Sequence, residues 1–338
     1  MKRAGYFSLL LVLLGAAPAL ALERCEFARP QMGMRFQITL YAADEKTAEE
    51  AASAAFRRIK EINAIMSDYE PESELSRLSR SSGSGEAVAL SERLWFVLSR
   101  AQEFSKRSNG AFDVTVGPCV WLWRKARREY RLPDPAALAE TRRAVGYKNI
   151  QLDPKRRTAK LLVPNMRLDL GAIAKGYAVS EAVAVLRERG IASALVVGGG
   201  NMAMSDPPPG KPGWRIAVPA LNAPEAAKEP TRHVLLSHAA LSTSGDFFQF
   251  LEIGGKHYSH VVNPHTGIGL TDHCQVVVIA RDGITADGLS TSVSVLEPKA
   301  GLKLVRSMPG AEALIMRKPG DKIETFESPG FAKFYEKP

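Results

Sequence analysis

Apolar residues recur with a helical period along three long stretches of the chain. Residues 45–66 keep alanine, phenylalanine and isoleucine on one face, and residues 91–107 also predict a helix. A third stripe, spaced i, i+3, i+4, i+7, begins at Val179 and stops at Gly190, a residue type that commonly follows a helix. A shorter helix is expected at residues 133–145, and strands are expected at residues 34–41, 150–152, 158–163, 194–197, 214–218, 247–253 and 275–280. The pattern predicts mixed helices and strands.

The segment at residues 167–178 joins a predicted short strand, residues 166–170, to the third helix through a turn of small residues. Asp169 lies in the strand, and Lys175 falls in the first turn of the helix. Unpaired backbone N–H groups at a helix start attract anions such as phosphate. We therefore expect a phosphate-bearing ligand here, although packing of the strand on the helix would explain the same small residues.

The N-terminus has the order of features that marks a secretory signal peptide. Lys2 and Arg3 precede an apolar run at residues 9–14, and the small-residue pattern Ala-Leu-Ala ends at Ala21. We expect a signal peptide at residues 1–21 and an exported soluble chain at residues 22–338. Cys25 follows charged residues, which is not the context of a lipid-attachment site, so a lipid anchor is not expected.

Composition narrows the choice of partners and of compartment. The 338 residues carry a formal net charge of +9, and five basic residues cluster at residues 124–131 beside Trp121 and Trp123. Because no nucleic-acid motif accompanies them, a solvated helix face is favoured over contact with nucleic acid or an anionic membrane. Three cysteines do not make a disulfide framework, so Cys119 and Cys274 are expected either to pair or to remain thiols.

Two loops and a run of glycines suggest places where a ligand would lie. Tyr69 is the large ring of a polar turn and is either an exposed loop aromatic or a surface for a flat ligand. Phe112 and Asp113 stand in a loop that is predicted to close with a turn at Gly117-Pro118. The glycines at residues 198–200 permit close approach of a ligand but match neither dinucleotide motif.

The last third of the chain supplies an imidazole and a pair of oxygen ligands. His260 ends a predicted strand, a common setting for a catalytic histidine. Asp287 and Thr291 lie one turn apart on a helix predicted to open at residue 285, and such oxygen ligands suit magnesium. A capping or first-turn aspartate is the alternative explanation for Asp287.

Taken together, these segments resemble one family, the exported flavin transferases called FAD:protein FMN transferases or the ApbE family. The likeness spans roughly residues 30–305 and rests on motifs in the same order. These are Met32-Gly33, residues 66–78, residues 110–118, residues 169–177 with Gly198-Gly199, residues 259–267 and residues 286–291.

The resemblance implies an α+β fold, a single catalytic domain of two intermixed lobes with mixed sheets and the flavin between them. It implies Mg²⁺-dependent transfer of FMN from FAD to a threonine of an exported acceptor protein, with release of AMP. No nucleic acid is implied, and membrane contact is peripheral at most. By matching position, His260 and Lys175 would be catalytic; Met32, Tyr69, Phe112, Asp113, Asp169 and Lys175 would line the FAD site; and the Ala172 carbonyl, Asp287 and Thr291 would hold magnesium.

The chain departs from the family pattern at Asn201, at Asn263 and in residues 286–291, where many members have an alanine-rich version. Many members have aspartate at the two asparagine positions, so two carboxylates near the expected ligand are absent while the proposed metal ligands remain. His260 is the candidate that accepts the threonine proton. A FAD pyrophosphatase, which gives FMN and AMP, and a non-enzymatic flavin-binding protein are the alternative functions.

Overall fold

The structure is a computed structural model that describes residues 22–218, 221, 232–245, 250–320 and 322–337. The predicted signal peptide and part of the strand expected at residues 247–253 lie outside this range. Within it, no helix is both long enough and apolar enough to cross a membrane.

One large antiparallel sheet organises the described part of the chain. Its neighbouring strands are, in spatial order, β1 (Glu23–Gln31), β2 (Met34–Ala42), β6 (Ala194–Gly198), β7 (Asn201–Met204), β10 (Ala239–Gly245), β13 (His273–Ala280), β14 (Glu312–Lys318) and β15 (Glu324–Glu327). Smaller antiparallel groups are formed by β3 (Val88–Ala89), β4 (Ile150–Asp153) and β5 (Thr158–Leu161), by β8 (Trp214–Ala217) and β9 (His233–Leu236), and by β11 (Phe250–Ile253) and β12 (Lys256–Ser259).

The expectation of mixed sheets is wrong for the described residues, where every strand pair is antiparallel. Two-residue hairpins join β1 to β2 and β6 to β7, and such short links permit antiparallel pairing only. The predicted α+β class is confirmed, because helices cover a sheet whose strands do not alternate with them in parallel units.

The helices expected to begin at residues 45, 91, 133 and 285 begin within two residues of those positions. The described helices are α1 (Glu45–Met66), α2 (Glu74–Arg80), α3 (Glu92–Arg107), α4 (Gly117–Glu129), α5 (Pro135–Arg142), α6 (Ala174–Glu188), α7 (Gly283–Val295) and α8 (Pro298–Arg306). Asp44 caps α1 and Ser91 caps α3 through side-chain oxygens that accept backbone N–H groups. Helix α5 is shorter than predicted, because Asp134 caps its start and Arg142 is its last helical residue.

Helices α1, α6 and α7 form a layer over one face of the large sheet. Helix α7 packs on β10, β13, α6 and α8, and most of its residues are buried. Its sequence is rich in Gly, Ala and Ser, so neighbouring elements approach it closely on several sides. Any polar side chain on α7 that faces these neighbours is therefore removed from water. The opposite face of the sheet packs on the paired strands β8 and β9 and on Phe331.

Two local predictions are wrong. Residues 166–170 form no strand: the Leu168 amide bonds to the Ser79 hydroxyl and the Asp169 amide to the Val114 carbonyl, and neither is part of a strand ladder. Gly117-Pro118 opens α4 rather than a turn, since proline suits the first turn of a helix.

Of the two alternatives for Cys119 and Cys274, pairing is not the one found, because no disulfide joins them in the described part of the chain.

Candidate functional site

The turn at residues 171–173 presents Lys175 at the start of α6, as predicted. The Gly171 amide donates to Asp169 Oδ1 at 2.7 Å, and Lys175 Nζ donates back to the Gly171 carbonyl. The first backbone bond of the helix runs from the Tyr177 amide to the Ile173 carbonyl at 3.1 Å. The ammonium group is thus held over the turn at the positive end of α6.

Asp287 reaches the same helix start from α7. Its Oδ2 accepts the Gly176 amide at 2.9 Å, and the residue is only 4% exposed. The approach is possible because a Cβ built on Gly176 would lie 2.0 Å from the Gly283 carbonyl oxygen. Asp282 caps α7 by accepting the Thr285 amide at 2.8 Å, so the alternative of Asp287 as the cap of its own helix is wrong.

The surroundings of Asp287 leave oxygen atoms that no hydrogen bond takes up. Burial raises the pKa of the Asp287 carboxyl, while Lys175 and hydrogen bonds from Gly176 and Asn201 oppose that shift. Asn201 is 3% exposed, and its Oδ1 has no hydrogen-bond partner in the described structure. A buried oxygen without a partner is uncommon and calls for an explanation such as a bound ion or water.

The oxygen atoms near the start of α6 are of the kinds that bind a hard cation. Thr291 lies half-buried one turn after Asp287, and within the described ranges the Ala172 carbonyl accepts no hydrogen bond. Carboxylate, hydroxyl and carbonyl oxygens are magnesium ligands, and magnesium usually keeps further positions for water and phosphate. No group of three or more His, Cys, Asp or Glu side chains able to hold a metal occurs among the described residues. A metal here would therefore depend on this mixed oxygen set and on its substrate.

Arg124 of α4 brings Tyr69 and Asp169 together. Its guanidinium carbon lies 4.3 Å from the centroid of the Tyr69 ring, and Nη2 donates to Asp169 Oδ2 at 2.7 Å. Nη1 donates to Asp68, whose carboxyl pKa is raised by burial and by the nearby Asp169. Tyr69 itself is 71% exposed, so it offers a flat ring to solvent beside the central turn.

Sequence reasoning missed Arg124, because the whole basic run was assigned to a solvated helix face. The signal that would have found it is its helical face on α4, which it shares with the buried Gly117 and the half-buried Val120. Residues spaced by four and seven positions lie on one face of a helix, so Arg124 is turned partly inward with them.

Phe112 and Asp113 lie inside the protein. Phe112 is 2% exposed and packs on Phe104 with ring centroids 5.6 Å apart. Asp113 accepts hydrogen bonds from the Thr115 amide at 2.8 Å, the Thr115 hydroxyl at 2.6 Å and the Tyr147 amide at 2.7 Å. Both side chains shape the loop before α4, and their contact with FAD stays a prediction.

Met32 forms the turn of the β1–β2 hairpin with φ of 50° and is half-buried. Gln31, Lys60 and Asn63 line an open cavity beside it. The glycine run has a packing explanation: a Cβ on Gly198 would lie 2.4 Å from the Phe36 ring. The run therefore serves strand packing. Met32 is among the residues that line the open cavity, and its contact with FAD stays a prediction.

His260 follows β12 in a segment that folds back on itself. The Ser259 amide donates to the Leu270 carbonyl at 2.7 Å, and Leu270 returns a bond to the Val261 carbonyl at 2.9 Å. Ser259 and Val261 line a narrow cleft together with Ser294 of α7, which places this segment beside the helix that carries Asp287. The imidazole is half-buried.

Asn263 occupies the turn that follows His260. Its Oδ1 accepts the His265 amide at 2.9 Å, and its carbonyl accepts the Gly267 amide at 2.8 Å. Aspartate and asparagine make this side-chain turn equally well, so the departure at this position preserves the local backbone.

Comparison with known proteins identifies the family of this fold and site. The sequence model of the ApbE family matches residues 32–315, and the chain belongs to that family. It is 31% identical to the FAD:protein FMN transferase of Haemophilus influenzae over 96% of this chain and 97% of that relative.

Solved structures share the fold over nearly their whole length. The flavin transferase ApbE from Vibrio cholerae superposes with a TM-score of 0.82 at 28% identity, covering 93% of this chain and 99% of that one. The ApbE protein from Thermotoga maritima gives a TM-score of 0.82 at 28% identity, covering 93% of this chain and 100% of the other. The predicted family and fold are confirmed.

Proposed function

We propose that this protein transfers FMN from FAD to a threonine hydroxyl of an acceptor protein and releases AMP. The relatives named FAD:protein FMN transferase support the overall reaction. The observation that carries the proposal is the crossing of α6 and α7, where Lys175, Asp287 and an unused carbonyl surround the positive end of a helix. A pyrophosphate is the part of FAD that such a site suits.

The proposed reaction is a phosphoryl-group transfer with AMP as the leaving group. The threonine oxygen forms a bond to the FMN phosphorus, the pyrophosphate P–O bond breaks, and AMP departs with the bridging oxygen. We propose that His260 accepts the hydroxyl proton, a role worth about 10²–10⁴ in rate. Lys175 would hold a pyrophosphate oxygen through a charge-assisted hydrogen bond.

Magnesium is proposed as the resident metal, held by Asp287, Thr291 and the Ala172 carbonyl. When bound, it would stabilise negative charge on the pyrophosphate oxygens. Tyr69 would offer its open face to the flavin ring, and Asp169 would hold the turn that presents Lys175. Met32 would contact the ligand from the β1–β2 hairpin.

The decisive experiment incubates purified mature protein with FAD and magnesium chloride, with and without a threonine-bearing candidate acceptor. Transfer predicts AMP together with flavin fluorescence that stays on the acceptor after denaturation. Release of AMP and free FMN without labelled acceptor would identify a FAD pyrophosphatase instead. Bound FAD with no AMP would identify a flavin-binding protein, and chelation of magnesium by EDTA controls for metal dependence.

We also propose that the chain is exported and acts outside the cytoplasm without a lipid anchor. The order of charged, apolar and small residues before residue 22 supports this. N-terminal sequencing of the native protein should begin near Leu22 in an extracytoplasmic fraction. Intact Met1 on soluble cytoplasmic protein would refute export and leave the chemistry unaffected.

A further inference from the structure

We propose that Arg124 is a positioning residue that couples the Tyr69 ring to the pyrophosphate-binding turn. The inference rests on the proposed function for the identity of the ligand, and on the geometry for the coupling. Both halves of the proposed FAD site are linked to this one guanidinium group, the flat ring by direct contact and the helix start through Asp169 and Gly171.

The contacts form a continuous chain of short steps. Arg124 lies against the Tyr69 ring at 4.3 Å and donates to Asp169 at 2.7 Å. The other Asp169 oxygen accepts the Gly171 amide at 2.7 Å, and the Gly171 carbonyl accepts Lys175 Nζ. A displacement of Arg124 would thus change the position of the aromatic ring and the position of the lysine-bearing turn together.

The guanidinium group is well suited to this role because it is planar and presents several donors in a fixed fork. It is mostly buried and serves two carboxylates, Asp68 and Asp169, while one face remains against the tyrosine. Arg167 supports the arrangement by donating to the Asp68 backbone carbonyl at 2.6 Å. A lysine at position 124 would keep the charge but could not stack and bridge both acids at once.

The test uses Arg124→Lys, with Arg128→Lys as the matched control on the exposed part of the same helix. Binding is measured with two magnesium-loaded ligands: FAD, which carries ring and pyrophosphate, and ADP, which carries the pyrophosphate without the flavin. We expect Arg124→Lys to weaken FAD about tenfold and ADP about threefold, and to reduce the quenching of flavin fluorescence that ring stacking produces. Arg128→Lys should match the wild type in all three measurements.

Tyr69→Leu tests the coupling from its other end and keeps the proposal falsifiable if Arg124→Lys fails to fold. Tyr69 is mostly exposed, so its replacement should preserve the fold. We expect Tyr69→Leu to weaken ADP about threefold although ADP has no flavin, and Tyr69→Phe to restore wild-type binding. In the double variant with Arg124→Lys, the losses should be smaller than the product of the single losses.

Each outcome bears on one proposal. ADP affinity unchanged in Tyr69→Leu, or wild-type FAD affinity and quenching in folded Arg124→Lys, would overturn the coupling while the transferase assignment stands. A wild-type protein that neither binds FAD nor releases AMP would overturn the proposed function itself.

Discussion

Two buried aspartates differ in how fully their oxygens are hydrogen-bonded. Asp113, in the loop before α4, accepts three hydrogen bonds from Thr115 and Tyr147. Asp287, at the crossing of α6 and α7, accepts one backbone bond and a side-chain bond from Asn201, and it lies beside Lys175 and the unpartnered oxygen of Asn201. A carboxylate whose acceptor positions are filled holds a loop together. One that keeps lone pairs next to other unused oxygens is equipped to bind a ligand.

The largest effect is expected for Asp287→Asn. Asparagine has nearly the same size as aspartate, and its side-chain oxygen can still accept the Gly176 backbone N–H. The substitution removes a negative charge from the proposed metal site. We expect FMN transfer to slow about a hundredfold or more, with partial recovery at high magnesium because the defect lies in metal affinity. AMP release measured against magnesium concentration checks this.

Asp282→Asn is the matched control for Asp287→Asn, because Asp282 lies on the same helix and its side chain caps the helix start by accepting the Thr285 amide. Its rate and magnesium dependence should equal those of the wild type, since asparagine is also a good cap. A folded Asp287→Asn protein with wild-type rate and magnesium dependence would remove Asp287 from the site.

The next effect concerns Lys175→Ala. Loss of one charge-assisted hydrogen bond costs about 1.5–3 kcal/mol, so FAD affinity should fall about tenfold to a hundredfold. Lys46→Ala is the control, because Lys46 occupies the equivalent position in the first turn of α1 and is exposed. Titration of FAD fluorescence measures the FAD affinity of both variants. A Lys175→Ala protein with the affinity of the wild type would show that Lys175 is a surface lysine that does not bind FAD.

Asp113→Asn is expected to change stability rather than chemistry. It leaves at least one of three buried donors poorly matched, so the free energy of unfolding should fall by about 1–3 kcal/mol. Denaturant unfolding measures this, and the transfer rate of the folded variant should be unchanged. The opposite result, normal stability with weakened FAD binding, would show that Asp113 lines the FAD site, as the family resemblance implies.

The smallest effect is expected when the two asparagines are returned to the residue common in the family. Asn201→Asp adds a carboxylate beside Asp287 and should tighten magnesium binding about threefold, because ligand charge raises affinity for hard cations. Asn263→Asp changes only a turn that both residues form, so it should have no effect on the metal. Calorimetric titration measures the magnesium affinity of each variant. Equal affinities for Asn201→Asp and Asn263→Asp would mean that Asn201 does not lie near the metal.

The sequence predicted elements well where the periodicity was long. Helix α1 begins and ends at the predicted residues, Glu45 and Met66. The start of α6, with Lys175 in its first turn, is also confirmed. These segments can be predicted from local sequence alone, because a helical apolar stripe and its capping residue do not depend on contacts with distant residues. Residues 166–170 alternate like a strand but find no partner strand, a fact that only the tertiary structure supplies.

Candidate site residues can be selected from the sequence by residue type, and their roles stay predictions, whereas their contacts could not be predicted. Asp287 was recognised as a possible oxygen ligand, but its bond to the Gly176 amide depends on two helices that meet through Gly176 and Gly283. Arg124 was hidden in a basic run, since its two acidic partners lie on separate segments. Phe112 was expected at the ligand, and its packing on Phe104 could not be read from a short loop.

The contact between Gly176 and Asp287 joins residues that are 111 positions apart in the chain. A contact across so long a loop has a large entropic cost of closure and exists only once α7 has docked on α6. A chain without docked α7 holds the lysine without its acid. Under the proposed function, flavin capture would therefore depend on the α6–α7 contact, and a chain truncated before α7 is expected neither to retain FAD nor to consume it.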